Sequence, residues 1–388
     1  MVGLAAAVFA VPSVFCQLPV FQAPLEHPAI QYEAAATHDA VYELNRRMGS
    51  GQTSLVFEGP QGYLRSVLEE LRVPVESQTL IFSKTSLQAQ RISPASPRAL
   101  YFNDSVAVGW VREGPLLELA AFDSERGVVF YTLDQTPAAR PRFVRTMVCL
   151  RCHDTALNVP GMLAGSHATA PDGAPRFHMG VFYSDHRSPY EERWGGKYVT
   201  GDSGNLRHMG RAMRFDAAGY LSPHSDVAAL MVFDHQMHMT NLLVRAAWET
   251  RVAMGEGRAA GVIPRLANEV ADYTLFVDEA PLPAPVRGSS DFAKVFAARG
   301  PSDSKGRGLR QLDLKGRLLR YPCSYMIYSE AFENLPGALR EAVYQKMWQI
   351  LSGRERSARY ARLTAADRRA VIEILRATKP GLPAVYAQ

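Results

Sequence analysis

Apolar and polar positions change rhythm along this chain. Residues 37–48 and 62–71 carry apolar side chains three and four apart, which predicts two amphipathic helices. From residue 79 the spacing shortens to alternation. Residues 79–83, 99–102 and 106–111 read as strands with Asn103-Asp104 as a turn, and residues 116–122 and 128–133 as a hairpin around Asp123 to Gly127. Beyond Ser225 the helical period returns. Residues 226–254 are apolar nearly all round in their first half, the mark of a buried helix, with Ser225 placed to cap it. Residues 337–351 and 365–377 predict two further helices, the second capped by Thr364. Residues 286–308, rich in Gly, Ser and Arg, read as a linker or exposed loop.

These segments predict an α+β fold in three parts. Residues 26–140 hold N-terminal helices and β-hairpins, 141–220 a cofactor-binding segment, and 221–388 a mainly helical region. A length of 388 residues, 47% hydrophobic and 21% charged, is ordinary for a globular chain with an ample core. The first charged residue is Glu26, and residues 2–11 form an apolar run broken by Pro12. This predicts a signal peptide over 1–16 that lacks its basic n-region, as in a leader cut short at its start; a spanning anchor fits less well, because Pro12, Gln17, Pro19 and Gln22 interrupt the run.

The chemistry lies in Cys149-Leu150-Arg151-Cys152-His153. C-x-x-C-H is the attachment pattern for a c-type haem: two thiols three apart form thioethers, and the adjacent imidazole becomes an axial ligand. A zinc half-site would need a second Cys/His pair, whereas Cys16 and Cys323 stand alone. A redox dithiol would need no histidine at the next position. One covalent haem c held by Cys149, Cys152 and His153 is therefore expected. Covalent attachment takes place outside the bacterial cytoplasmic membrane, so motif and leader together predict a periplasmic or otherwise exported protein.

The residues around the motif offer further candidates. Arg140, Arg142 and Arg145 could pair with haem propionates or be plain surface charges. Ser188, Pro189 and Glu191 form a capping-box pattern that would set a short helix just after His186 and Arg187, with Trp194 available to pack on a haem face. His235 and His238, three apart, lack a third ligand and read as core histidines. Met209 is the preferred distal iron ligand; Met162, Met179 and Met213 are alternatives, and His186 or His208 would give bis-histidine ligation. If the distal position is open, His186, Arg187 or His208 would supply an acid/base group.

Charge is unevenly spread. The net charge is +5, yet from Arg287 onward 19 Lys/Arg face 9 Asp/Glu. That basic third suits an acidic redox partner or an anionic membrane surface, or is simply a solvated helical face. Nothing resembles a nucleic-acid-binding module.

The chain resembles a family of uncharacterised exported proteins of environmental bacteria with a single cytochrome c motif. The likeness rests on Ser83 to Gln88, Arg98 to Asp104, Cys149 to His153, Asp185 to Gly196, Asn241-Leu242 and Arg320 to Tyr325. It implies haem c and export but no particular activity. A narrower likeness to class I cytochromes c covers Cys149 to about Met213, where only Cys149, Cys152 and His153 carry over. It implies that a proline carbonyl, here Pro160, orients the histidine, although the spacing from His153 is short and residues 158–161 read equally well as a simple turn. The expected function is a periplasmic monohaem c-type cytochrome exchanging electrons with a redox protein. The alternatives are a peroxidase-like haem oxidoreductase with an open distal site and a gas-sensing or structural subunit of a respiratory assembly.

Overall fold

The computed structural model describes residues 21–154, 157, 159–213 and 215–387; the expected leader lies outside them. Helix α1 (Ala40–Gly49) starts where Asp39 accepts hydrogen bonds from the amides of Val41 and Tyr42, and α2 (Leu64–Glu70) follows. The alternating stretch then forms one antiparallel meander: β1 (Thr79–Ile81), β2 (Arg98–Phe102), β3 (Val106–Trp110), β4 (Leu116–Asp123), β5 (Gly127–Asp134) and β6 (Val144–Arg145), in that spatial order.

Alternation sends side chains to two faces. Ala99, Tyr101, Val108, Leu119 and Tyr131 are buried in one core with Val41 and Leu44 of α1 and Leu64, Val67 and Leu68 of α2. Phe102, Ala107, Phe122, Val128 and Phe130 enter a second core shared with the C-terminal helices. The β4–β5 turn is fixed by Asp123, whose carboxylate accepts from the amides of Glu125 and Arg126. Gly127 closes it at φ +82°.

The middle segment is built of short pieces. One helical turn, α3 (Leu150–His153), carries the cysteine–histidine motif. Next come β7 (Gly165–His167), paired antiparallel with β8 (Val181–Tyr183), and β9 (Tyr198–Val199), paired in parallel with β10 (Arg211–Ala212). The long helix α4 (Val227–Gly255) is buried on nearly every side, as its composition predicts. It packs on α5 (Ala259–Thr274), which in turn packs on α8 (Gly337–Leu351); α6 (Phe292–Ala298), α7 (Glu330–Glu333) and α9 (Ala365–Thr378) complete the helical part. No helix among the described residues is long and apolar enough to cross a membrane.

Several local expectations need correction. Asp226, not Ser225, caps α4; the Ser225 hydroxyl instead donates to the Tyr198 carbonyl and accepts from the Leu80 amide. Ser188 makes no capping box, because its hydroxyl accepts from the Asp185 amide; the segment forms a single 3-10 turn over Tyr190–Glu192. Residues 286–308 contain α6 rather than a continuous linker. Helix α5, with Pro264 inside it, had no counterpart among the expected elements.

Candidate haem-attachment site

The motif sits on a turn pinned at both ends. Leu150 is buried in the second core, Cys149 is half-buried and packs against that core, and Cys152 is exposed. Burial pushes the Cys149 thiol up to about 11. The His153 ring packs inward on Phe130 of β5, with ring centroids 5.0 Å apart.

One nitrogen of that ring is already committed. His153 Nδ1 lies 2.8 Å from the Gly161 carbonyl. A carbonyl only accepts, so Nδ1 carries the proton and the lone pair is left on Nε2. Burial, with a smaller push from the Arg98 guanidinium, holds the imidazole pKa below its ordinary value and favours the neutral, ligating form. The Gly161 amide returns a hydrogen bond to the His153 carbonyl at 2.8 Å, closing the loop. Helix α4 then clasps the loop's far end: the Met162 amide donates to Asn241 Oδ1 at 2.9 Å, and Asn241 Nδ2 donates to the Met162 carbonyl at 2.7 Å. The acceptor is thus the carbonyl one residue beyond the expected Pro160, serving the same orienting purpose.

Apolar side chains stay exposed just before the motif and along the segment leading into β8. Val148 directly precedes the motif and is 44% exposed; Phe177, Met179 and Tyr183 are each more than half exposed, with Val181 between them on β8. Tyr183 also borders a cavity of about 160 Å³ lined by Leu157, Met162, Ser184, Asp185 and His238. Exposed apolar side chains gathered along one short stretch mark a surface that something covers.

The other candidates are spread through the middle segment and α4. Met209 lies beside β7, its sulfur 3.7 Å from the Ser166 hydroxyl. Met162 is buried, Met179 exposed, and Met213 packs against the first core. His208 stacks edge-on against Trp194, and its buried Nδ1 has no hydrogen-bond partner among the described residues. His186 lies inside the helical core, stacked on Phe276 and 2.8 Å from His235 through their Nδ1 atoms; burial drives its pKa well down. That placement does not suit a distal acid/base group open to a ligand.

Arg187 turns away from His186, pairs with Asp185 at 2.6 Å and reaches His238 Nε2 at 3.1 Å. His235 is a core histidine bonded through Nε2 to Ser324, whereas His238 is only partly buried and faces Asp185. Trp194 is fully buried, donating to Asp234, and offers no face for a haem at the surface. Arg145 donates to the carbonyls of Tyr32, Glu33 and Ala35 and so serves the N-terminal segment rather than a propionate.

Three contributors carry no local signal: Phe130 beneath the imidazole, and Glu118 of β4 with Arg98 of β2, an ion pair (3.2 Å) on the sheet face nearest the motif. Only their alternation with buried neighbours could have pointed to them. Among the described residues no group of three or more His, Cys, Asp or Glu side chains converges as a site for a bare metal ion. No protein-family model, curated protein or solved structure matches the chain.

Proposed function

We propose that this is an exported c-type cytochrome carrying one haem on Cys149, Cys152 and His153 and exchanging electrons with a redox protein. The observation that carries the reading is the committed tautomer of His153: Nδ1 donates to Gly161, so Nε2 is the nitrogen available to iron. The donor set fits haem c. Both cysteines sit on one turn, Cys152 exposed and Cys149 half-buried, and the exposed Val148, Val181 and Tyr183 would supply apolar surface for a macrocycle to cover. The haem, when attached, supplies one-electron chemistry. The chain supplies a fixed imidazole, a loop held by Asn241, and a platform of Phe130 and the sheet that leaves little to reorganise when the charge changes. The basic C-terminal third favours an acidic partner.

The test is haem retained after denaturation of the purified protein. Wild type should keep it, and Cys149→Ala or Cys152→Ala should lose or weaken the attachment; haem that washes out of the wild type sinks the proposal. A second reading, a haem oxidoreductase with an open distal site, is favoured by the cavity beside Met162, whose wall includes Ser184, Asp185 and His238. Carbon monoxide added to the reduced protein separates the two. Slow or absent binding, with a methionine-to-iron band lost in Met209→Ala, supports the electron carrier; rapid binding supports the enzyme.

A further inference from the structure

The sheet face turned toward the motif is a core face, carrying Phe102, Ala107, Phe122, Val128 and Phe130. Two charged residues interrupt it. Arg98 and Glu118 form an ion pair only 17% and 14% exposed. Glu118 is also held by Gln88 Nε2 at 3.1 Å, so both carboxylate oxygens are fixed. Gly109 lies beside the pair. It stands across from Glu118, between β2 and β4, and a Cβ there would lie 3.6 Å from Arg98 Cδ, so the guanidinium passes over a residue with no side chain.

Desolvating such a pair is costly, and an apolar replacement would serve stability as well or better. Its position offers another role. Glu118 pairs with Thr132, two residues along β5 from Phe130, which makes Glu118 and Phe130 diagonal neighbours on one face, roughly 7–8 Å apart. The His153 ring rests on Phe130.

Resting on the haem assignment above, we infer that the Arg98–Glu118 pair sets the reduction potential of the iron held by His153. The oxidised site carries one more positive charge than the reduced site. A fixed carboxylate therefore favours the oxidised form, and a fixed guanidinium the reduced form. Because the pair is only slightly exposed, solvent screens each charge weakly.

The test is spectroelectrochemical titration of the full holoprotein. Glu118→Gln should raise the potential and Arg98→Gln should lower it, each by about tenfold in the redox equilibrium constant, or 59 mV for one electron. Arg98→Lys, which keeps the charge and is the milder change, should stay within about threefold of wild type, or ~28 mV. Shifts of the same sign in both glutamine variants would mean a loosened pocket and overturn the inference, as would two unchanged potentials. Should Arg98→Gln fail to fold, Glu118→Gln and Arg98→Lys decide the matter. Absence of covalent haem in the wild type would instead defeat the assignment on which the inference rests.

Discussion

His238 and Asn241 sit one turn apart on α4, the first partly buried and the second buried, and each shows how a desolvated polar group is kept. Burial lowers the pKa of His238 to about 4, a push that Arg187 strengthens and Asp185 opposes. Since the folded value lies below that of the unfolded chain, stability is fully present above about pH 6.5 and is lost as pH falls toward 4. Replacing His238 with Asn should reduce the slope of unfolding free energy against pH, between those limits, by up to one proton; an unchanged slope would show that the imidazole is not desolvated. Asn241 has a different duty, as both of its amide atoms are spent on the Met162 backbone. Asn241→Ala strands a buried donor and a buried acceptor, which costs about 3 kcal/mol at 1–3 kcal/mol each. Urea denaturation checks this, and a loss below about 1 kcal/mol would mean that water replaces the amide.

At the β4–β5 turn two elements meet at a glycine. Gly127 has φ +82°, and a Cβ there would fall 2.5 Å from Val244 Cγ1 on α4. Gly127→Ala should therefore destabilise by about 3 kcal/mol, combining left-handed strain with overpacking. Adding Val244→Ala should relieve the steric part of that effect but not the strain. Gly219, at φ +92° with open space around it, should lose only the strain component, about 1–2 kcal/mol, when changed to Ala. Equal losses at the two positions would contradict the close approach of α4. Elements such as β2 to β5 and α8 were legible because their apolar spacing is regular and they bury a continuous face. Helix α5 was not, because Pro264 interrupts a start rich in small residues, and α6 is seven residues long between glycine-rich flanks. Caps failed where a hydroxyl had a better distant partner: Ser225 reaches Leu80, 145 residues away. The motif itself was plain in the sequence. Phe130, Glu118 and Arg98 were not, since strand pairing alone brings them to it.

Among the described residues two cores bury most large apolar side chains; Val56, Leu87, Val144 and Met254 are scattered exceptions, and five others lie just before the motif or on and just before β8. Val148, Phe177, Met179, Val181 and Tyr183 remain 37–59% exposed, and Phe177 and Tyr183 are the aromatic residues among the described ones that are exposed to that degree. A fully buried large apolar side chain contributes about 1.5–3 kcal/mol, so covering two or three half-exposed ones contributes about 3 kcal/mol. At roughly 2 °C per kcal/mol for a chain of this size, the haem-free Cys149→Ala/Cys152→Ala double variant should melt about 6 °C below the holoprotein. It should also bind a hydrophobic dye that the holoprotein does not. The two measurements bear on one cause. A lower melting temperature without dye binding would trace the loss to the covalent tether, while dye binding equal in both forms would show that the apolar strip faces something other than haem. Charge offers an independent check, because a partner drawn to the basic C-terminal third should associate more slowly as salt rises, whether or not haem is present.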